Sequence, residues 1–100
     1  MIAGNVVILK HSSNVQGCAD AIEGLFLEVS FPKNVFRNLT ISSLKVEEVI
    51  KNPMVKAITL TGSTHAGKAV AKKAGSVLKK TVLELGGNDP YLILKDADLD

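Results

Sequence analysis

The sequence has no tryptophan, one cysteine, one tyrosine and two histidines. Each shortage closes off a class of function. A lone cysteine, Cys18, rules out an internal disulfide and fits a reducing compartment, so a cytoplasmic location is expected. His11 and His65 lack cysteine or carboxylate partners at ligand spacing, so no metal site is expected. Aromatic residues make up 4% of the chain, too few for a base-stacking surface. A net charge of +2 is too small to draw nucleic acid or an anionic membrane. No apolar run approaches the roughly 20 residues that span a bilayer. Met1 to Asn5 lack the basic and long apolar regions of a secretory signal, so none is expected.

What is present is an ordinary globular balance: 46% hydrophobic and 22% charged residues over 100 positions. Disorder is excluded, and one domain or part of one is expected over residues 1–100. Asn5 to Leu9 is a continuous apolar, β-branched run, the pattern of a strand buried on both faces. His11 to Asn14 offer N-cap candidates. Val15, Cys18, Ala19, Ile22, Leu25, Phe26 and Val29 then recur at helical spacing, which places Cys18 in a core. Phe31-Pro32 ends that helix. Residues 34–41 read as a second strand. A short helix capped by Ser42-Ser43 follows, with Val46, Val49 and Ile50 inward, and stops at Asn52-Pro53.

Ala57 to Thr61 is a third strand, and residues 64–74 form a helix with Ala66, Ala69, Val70 and Ala74 inward and Gly75 at its C-terminal cap. The lysine run from Lys72 to Lys80 reads as a solvated helix face. A fourth strand lies within residues 77–85, a fifth is Tyr91 to Leu94, and Asp96 to Asp100 starts another helix. The order β-α-β-α-β-α-β-β predicts an α/β fold: a Rossmann-like, mostly parallel sheet with flanking helices, incomplete at this length.

Two features carry chemistry. The first is Thr61-Gly62-Ser63-Thr64, where a strand breaks at glycine into a helix N-terminus. Such a junction aims free N–H groups and a helix dipole at one point, which suits a phosphate. It equally describes an ordinary tight βα turn. Gly62 to Lys68 match most of the G-x-x-x-x-G-K-S/T phosphate loop, but Ala69 stands where the magnesium-binding hydroxyl belongs. A nucleoside triphosphatase is therefore disfavoured. The second feature is Glu84, a carboxylate in an apolar strand before Gly86-Gly87. Buried, it suits a general base; facing solvent, it is a strand-end charge. Lys10 ends the first strand, where open α/β sheets bind ligands.

Taken together and in order, these segments resemble the NAD(P)-dependent aldehyde dehydrogenase family. Gly4-Asn5-Val6-Val7-Ile8-Leu9-Lys10 is similar to its G-N-x-V/I-V/I-x-K strand. Leu60-Thr61-Gly62-Ser63-Thr64 with Gly67 is similar to its F-T-G-S-x-x-x-G turn. Leu83 to Pro90, followed by Asp96 to Asp100, resembles its L-E-L-G-G-K/N-x-P…D-A-D-L/I-D/E signature. The resemblance, closest to a succinate-semialdehyde dehydrogenase-like branch, implies NAD or NADP as cofactor and a small-molecule aldehyde as substrate. It gives Lys10 and Ser13 to the adenosine ribose or its 2′-phosphate, and Gly62 and Ser63 to the pyrophosphate. Ala66 and Gly67 would go to the adenine side, Leu85 and Gly86 to the nicotinamide end. Glu84 would be the general base for a cysteine thiol or for the water that hydrolyses the thioester. His11 departs from the family's usual proline, and Ser13 from the glutamate of many NAD-preferring members. The family's nucleophilic cysteine follows the L-E-L-G-G segment, and Cys18 does not occupy its place. The chain alone is therefore expected to be inactive. A non-catalytic α/β module that binds nucleotide or self-associates as a homo-oligomer through unpaired sheet edges is the alternative.

Overall fold

The computed structural model describes residues 1–88 and 90–98. It consists of two βαβ units, each built on a pair of parallel strands, so the α/β class holds. The first unit runs Met1–Val46 and the second Glu47–Asp100.

In the first unit, β1 (Val7–Leu9) pairs in parallel with β2 (Phe36–Asn38), Leu9 opposite Asn38. A 3-10 turn over Ser13–Val15 leads from β1 into α1 (Gln16–Glu28), which packs on β2. Neither hydroxyl of Ser12 or Ser13 caps the helix. Beyond Glu28 the chain closes in a Schellman turn: Phe31 N–H reaches the Phe26 carbonyl at 3.0 Å and Ser30 N–H the Leu27 carbonyl at 3.1 Å. Ser30 takes the left-handed conformation this turn requires, φ 61°. The hydrophobic contact that accompanies such turns is Phe26 against Phe31, edge to face at 5.3 Å, with Phe36 stacked on Phe26 at 4.6 Å.

The covered face of α1 differs from the predicted apolar stripe. Ala19 is fully buried and Ile22 and Phe26 are half-buried, but Cys18, Leu25 and Val29 are exposed, so Cys18 is not a core residue. Gln16 and Glu23 are half-buried instead, because both hold polar partners described below.

The helix α2 (Val46–Lys51), whose residues from Glu47 onward belong to the second unit, turns Val46, Val49 and Ile50 inward, as predicted. Asn52 ends it by accepting the Met54 N–H at 2.9 Å. The Lys79 ammonium donates to the carbonyls of Ile50 and Asn52, a cation on the negative end of the helix. β3 (Ala57–Gly62) and β4 (Lys80–Leu85) pair in parallel over six positions, with Thr61 opposite Glu84 and Gly62 opposite Leu85. Both strands are covered on one face only. Ile58, Leu60, Leu83 and Leu85 are half-buried and their neighbours exposed. β1 too is covered on one face, with Val6 and Ile8 exposed, and is not buried on both faces as its unbroken apolar run predicts. The connecting α3 (Thr64–Ser76) buries Gly67 and Ala74 and half-buries Ala66, Val70 and Ala71; Ala69 faces out. Gly75 lies inside the helix. The left-handed cap is Leu78, φ 53°, with Lys79 N–H on the Ala74 carbonyl at 2.9 Å.

The apolar run Tyr91 to Leu94 forms no strand among the described residues; all four are exposed. Of the helix predicted from Asp96, residues Leu99 and Asp100 lie outside the described set, as does Asp89 of the glycine-rich signature.

Glu47 of α2 and Lys73 of α3 form an ion pair at 2.7 Å. The hydrogen bond and charge of Lys73 hold the Glu47 carboxyl below its ordinary value, and the bond to Glu47 raises the Lys73 ammonium. A depressed acid stabilises the fold above its unfolded pKa and loses that contribution as pH falls through the folded value. A raised base contributes below its unfolded pKa and loses it as pH rises through the folded value. Glu47→Gln is therefore expected to be slightly less stable than wild type at neutral pH. The gap should close as pH falls through the lowered value of the folded Glu47 carboxyl, and in high salt. Urea melts at three pH values and two salt concentrations check it; a gap unchanged by acid or salt contradicts it.

Candidate functional site

Six of the expected residues meet at one end of β3 and β4. Gly62 closes β3, and Ser63 is the N-cap of α3. The Ser63 hydroxyl accepts the Ala66 N–H at 3.2 Å, and the Ser63 carbonyl takes the Gly67 N–H at 2.9 Å. Helix geometry leaves the N–H groups of Thr64 and His65 without an intrahelical acceptor, and both residues are exposed. Gly86, just past β4, lies beside them: a Cβ on Gly86 would stand 3.9 Å from the Thr64 hydroxyl. The result is an open helix N-terminus bordered by glycine on the neighbouring strand, a fit for a phosphate ester.

Gly67 sets how closely α3 lies on β4. A Cβ there would fall 2.5 Å from both methyl carbons of Leu85 and 3.1 Å from its Cγ. The missing side chain is thus taken up by Leu85, and the α3 N-terminus is drawn against the end of β4. Ala66 is half-buried beside it.

Glu84 sits between Leu83 and Leu85. Side chains alternate along a strand, so with its neighbours half-buried Glu84 projects from the opposite face, where it is exposed. Its carboxylate is thus solvent-facing here, and a role as base rests on the family resemblance rather than on burial.

Lys10 and Ser13 lie in the first unit. Lys10 is half-buried immediately after β1, and Ser13 opens the 3-10 turn, its hydroxyl 3.5 Å from Asn14 Oδ1. Three residues that sequence reasoning did not single out form a hydrogen-bonded network that reaches the loop between them: Gln16, Glu23 and Asn38. Gln16 Nε2 donates to the carbonyls of His11 at 3.4 Å and Ser12 at 3.2 Å. No local pattern marks them, because their partners lie as far as 22 residues away in sequence. Among the described residues no group of three or more histidine, cysteine or acidic side chains is placed to hold a metal, and no helix is long and apolar enough to cross a membrane.

The model of the aldehyde dehydrogenase family matches residues 1–100. The chain is 48% identical over its whole length to an NADP(+) succinate-semialdehyde dehydrogenase of Mycobacterium leprae. It is 45% identical to the NAD(P)+ succinate semialdehyde dehydrogenase Sad of Escherichia coli. It spans 22% of either relative. Among solved structures, a succinic semialdehyde dehydrogenase from Streptococcus pyogenes in complex with NADP+ superposes with a TM-score of 0.86 at 44% identity, over 97% of this chain and 21% of that one.

Proposed function

This chain belongs to the aldehyde dehydrogenase family, and we propose that it supplies the phosphate-binding turn and the general base of an NAD(P)-dependent oxidation of an aldehyde to a carboxylic acid. The observation that carries this reading is the β3–Gly62–Ser63–α3 junction, held against the end of β4 by the bare Cα of Gly67. In it, the N–H groups of Thr64 and His65 receive a pyrophosphate oxygen. Lys10 and Ser13 receive the adenosine ribose. Leu85 and Gly86 border the nicotinamide end, and Glu84 accepts a proton from a thiol or a water. When bound, the dinucleotide supplies the hydride acceptor. Succinic semialdehyde is the substrate the similar proteins favour, with NADP as the cofactor that Ser13 leaves open.

The test is a chimera in which residues 1–100 replace the matching segment of the Streptococcus pyogenes enzyme. It is expected to bind NADP and oxidise succinic semialdehyde. A folded chimera that binds no dinucleotide overturns the reading. The chain by itself is expected to give no sustained NADH or NADPH production with any aldehyde. Its one cysteine, Cys18, lies on α1 and not after the Glu84 segment, where the family resemblance places the nucleophile. A steady-state absorbance assay with both cofactors checks this, and turnover free of contaminating enzyme refutes it.

A further inference from the structure

The segment that leaves the C-terminal end of β1 has no side-chain cap to fix it, since the hydroxyls of Ser12 and Ser13 do not bond to the start of α1. From α1 it is gripped by Gln16, whose Nε2 reaches the carbonyls of His11 and Ser12. Gln16 in turn belongs to a polar stripe. Gln16, Asp20 and Glu23 follow at four- and three-residue steps, so they share one face of the helix. The end of β2 closes on that stripe. Asn38 Nδ2 donates to Asp20 Oδ1 at 2.7 Å and, at a longer 3.5 Å, to Gln16 Oε1. The backbone N–H of Asn38 donates to Glu23 Oε2 at 2.6 Å, and Glu23 Oε1 pairs with Arg37 Nε at 3.1 Å.

The donors and acceptors fix one orientation throughout. Asn38 spends its amide hydrogens on Asp20 and Gln16, and its buried Oδ1 has no partner among the described residues. Gln16 then has its oxygen toward Asn38 and its NH₂ toward the two loop carbonyls. The charged contacts are the short ones, so the network is anchored at the β2 end and its weaker end rests on the loop. β1 and β2 are in register there, with Leu39 N–H on the Leu9 carbonyl at 2.7 Å, one residue before Lys10.

We propose that Gln16 is a positioning residue: it holds the Lys10–Ser13 loop in the shape that receives the adenosine ribose, and Asn38, fixed by Asp20 and Glu23, holds Gln16. The proposal rests on the reading of that loop as the ribose site. Gln16 touches no ligand in this scheme; it acts through the backbone of His11 and Ser12.

The experiment uses the ¹⁵N-labelled 100-residue chain, with adenosine 2′,5′-bisphosphate as probe. Loop amide hydrogen exchange is measured without ligand at Ser12 and Val15, whose N–H groups donate to His11 Nδ1 at 2.8 Å and to the Ser12 carbonyl at 3.2 Å, and affinity is then read from chemical-shift titration. Gln16→Leu is expected to speed loop exchange about tenfold, the scale of one lost hydrogen bond, while Ala19 and Ile22 in α1 stay protected. Affinity for the probe should fall by a similar factor. Asn38→Ala leaves Gln16 in place and should speed loop exchange about threefold, a milder change that keeps the question answerable if Gln16→Leu disturbs the helix. Loop exchange unchanged in a folded Gln16→Leu chain overturns the proposal. So does faster exchange with undiminished affinity. Lys10→Ala separates the two layers: if the wild type binds no probe, or binds it no more tightly than Lys10→Ala does, the ribose reading itself fails and the proposal falls with it. Loss of affinity in Lys10→Ala but not in Gln16→Leu leaves the ribose reading standing and removes Gln16 alone.

Discussion

Glu84→Gln, placed in the chimera with the Streptococcus pyogenes enzyme, is expected to lower turnover by about 10²- to 10⁴-fold while leaving NADP affinity within about twofold. The amide has nearly the size of the carboxylate and keeps an acceptor oxygen, so packing and substrate contacts survive. What it cannot do is take a proton. The geometry explains why binding should be spared. Leu83 and Leu85 are the half-buried residues of β4, and Leu85 meets α3 at Gly67; Glu84 leaves the strand on the other face. The proposed phosphate turn meets β4 at Leu85, whereas Glu84, the residue before it, leaves the opposite face of the strand, so one can be altered without the other. Glu84→Asp draws the carboxylate back by one methylene and should fall between wild type and Glu84→Gln. Steady-state rates and a fluorescence titration with NADP check both. Turnover within threefold of wild type in Glu84→Gln would remove the residue from the chemistry, and a matching loss of NADP affinity would make its role structural.

The β3–α3–β4 unit was legible in the sequence because its determinants are local. A glycine breaks a strand, a serine caps a helix, alanines recur at helical spacing, and an apolar run follows. The family resemblance rests on the same local runs, and the comparisons bear it out. Other features depend on what lies far away. The exposed Cys18, Leu25 and Val29 were read as inward because apolar periodicity alone cannot see that Gln16 and Glu23 have partners on β2. Tyr91 to Leu94 has strand composition, but a strand needs a neighbour in register, and a sequence run does not say whether one is supplied. Helix ends failed for a third reason. Ser30 and Leu78 adopt left-handed caps that glycine fills more easily, while Gly75, the better candidate by type, lies inside its helix. There the pull of closing hydrogen bonds and of the next strand outweighs a conformational cost of about 1 kcal/mol.

Gly67→Val is expected to destabilise the chain by about 1–3 kcal/mol, the cost of overpacking a filled contact. Gly67 is buried, and even a bare Cβ would sit 2.5 Å from both Leu85 methyl carbons, where ordinary contact needs about an ångström more. Alanine is the instructive half-step. Leu85 is half-buried and its methyls are the mobile end of the side chain, so it can swing aside. Replacing glycine inside a helix also gains about 1 kcal/mol of helix propensity. Gly67→Ala should therefore lie near neutral. Valine adds two further methyls and a restricted χ1, and rotating Leu85 no longer clears them. The double variant Gly67→Val/Leu85→Ala isolates the clash: it should recover stability relative to the sum of the single changes, with a coupling of about 0.5–3 kcal/mol. Urea melts followed by circular dichroism measure wild type, Gly67→Ala, Gly67→Val, Leu85→Ala and the double variant, and additive effects would show that the contact with Leu85 is not the cause. The same clash has a functional reach. α3 cannot move off β4 to relieve it without carrying Ser63, Thr64 and His65 away from Gly86. In the chimera, Gly67→Val should accordingly weaken NADP binding, and Leu85→Ala in the same chain should restore part of it. Lost stability with unchanged NADP affinity would mean that the phosphate turn does not depend on how α3 is seated.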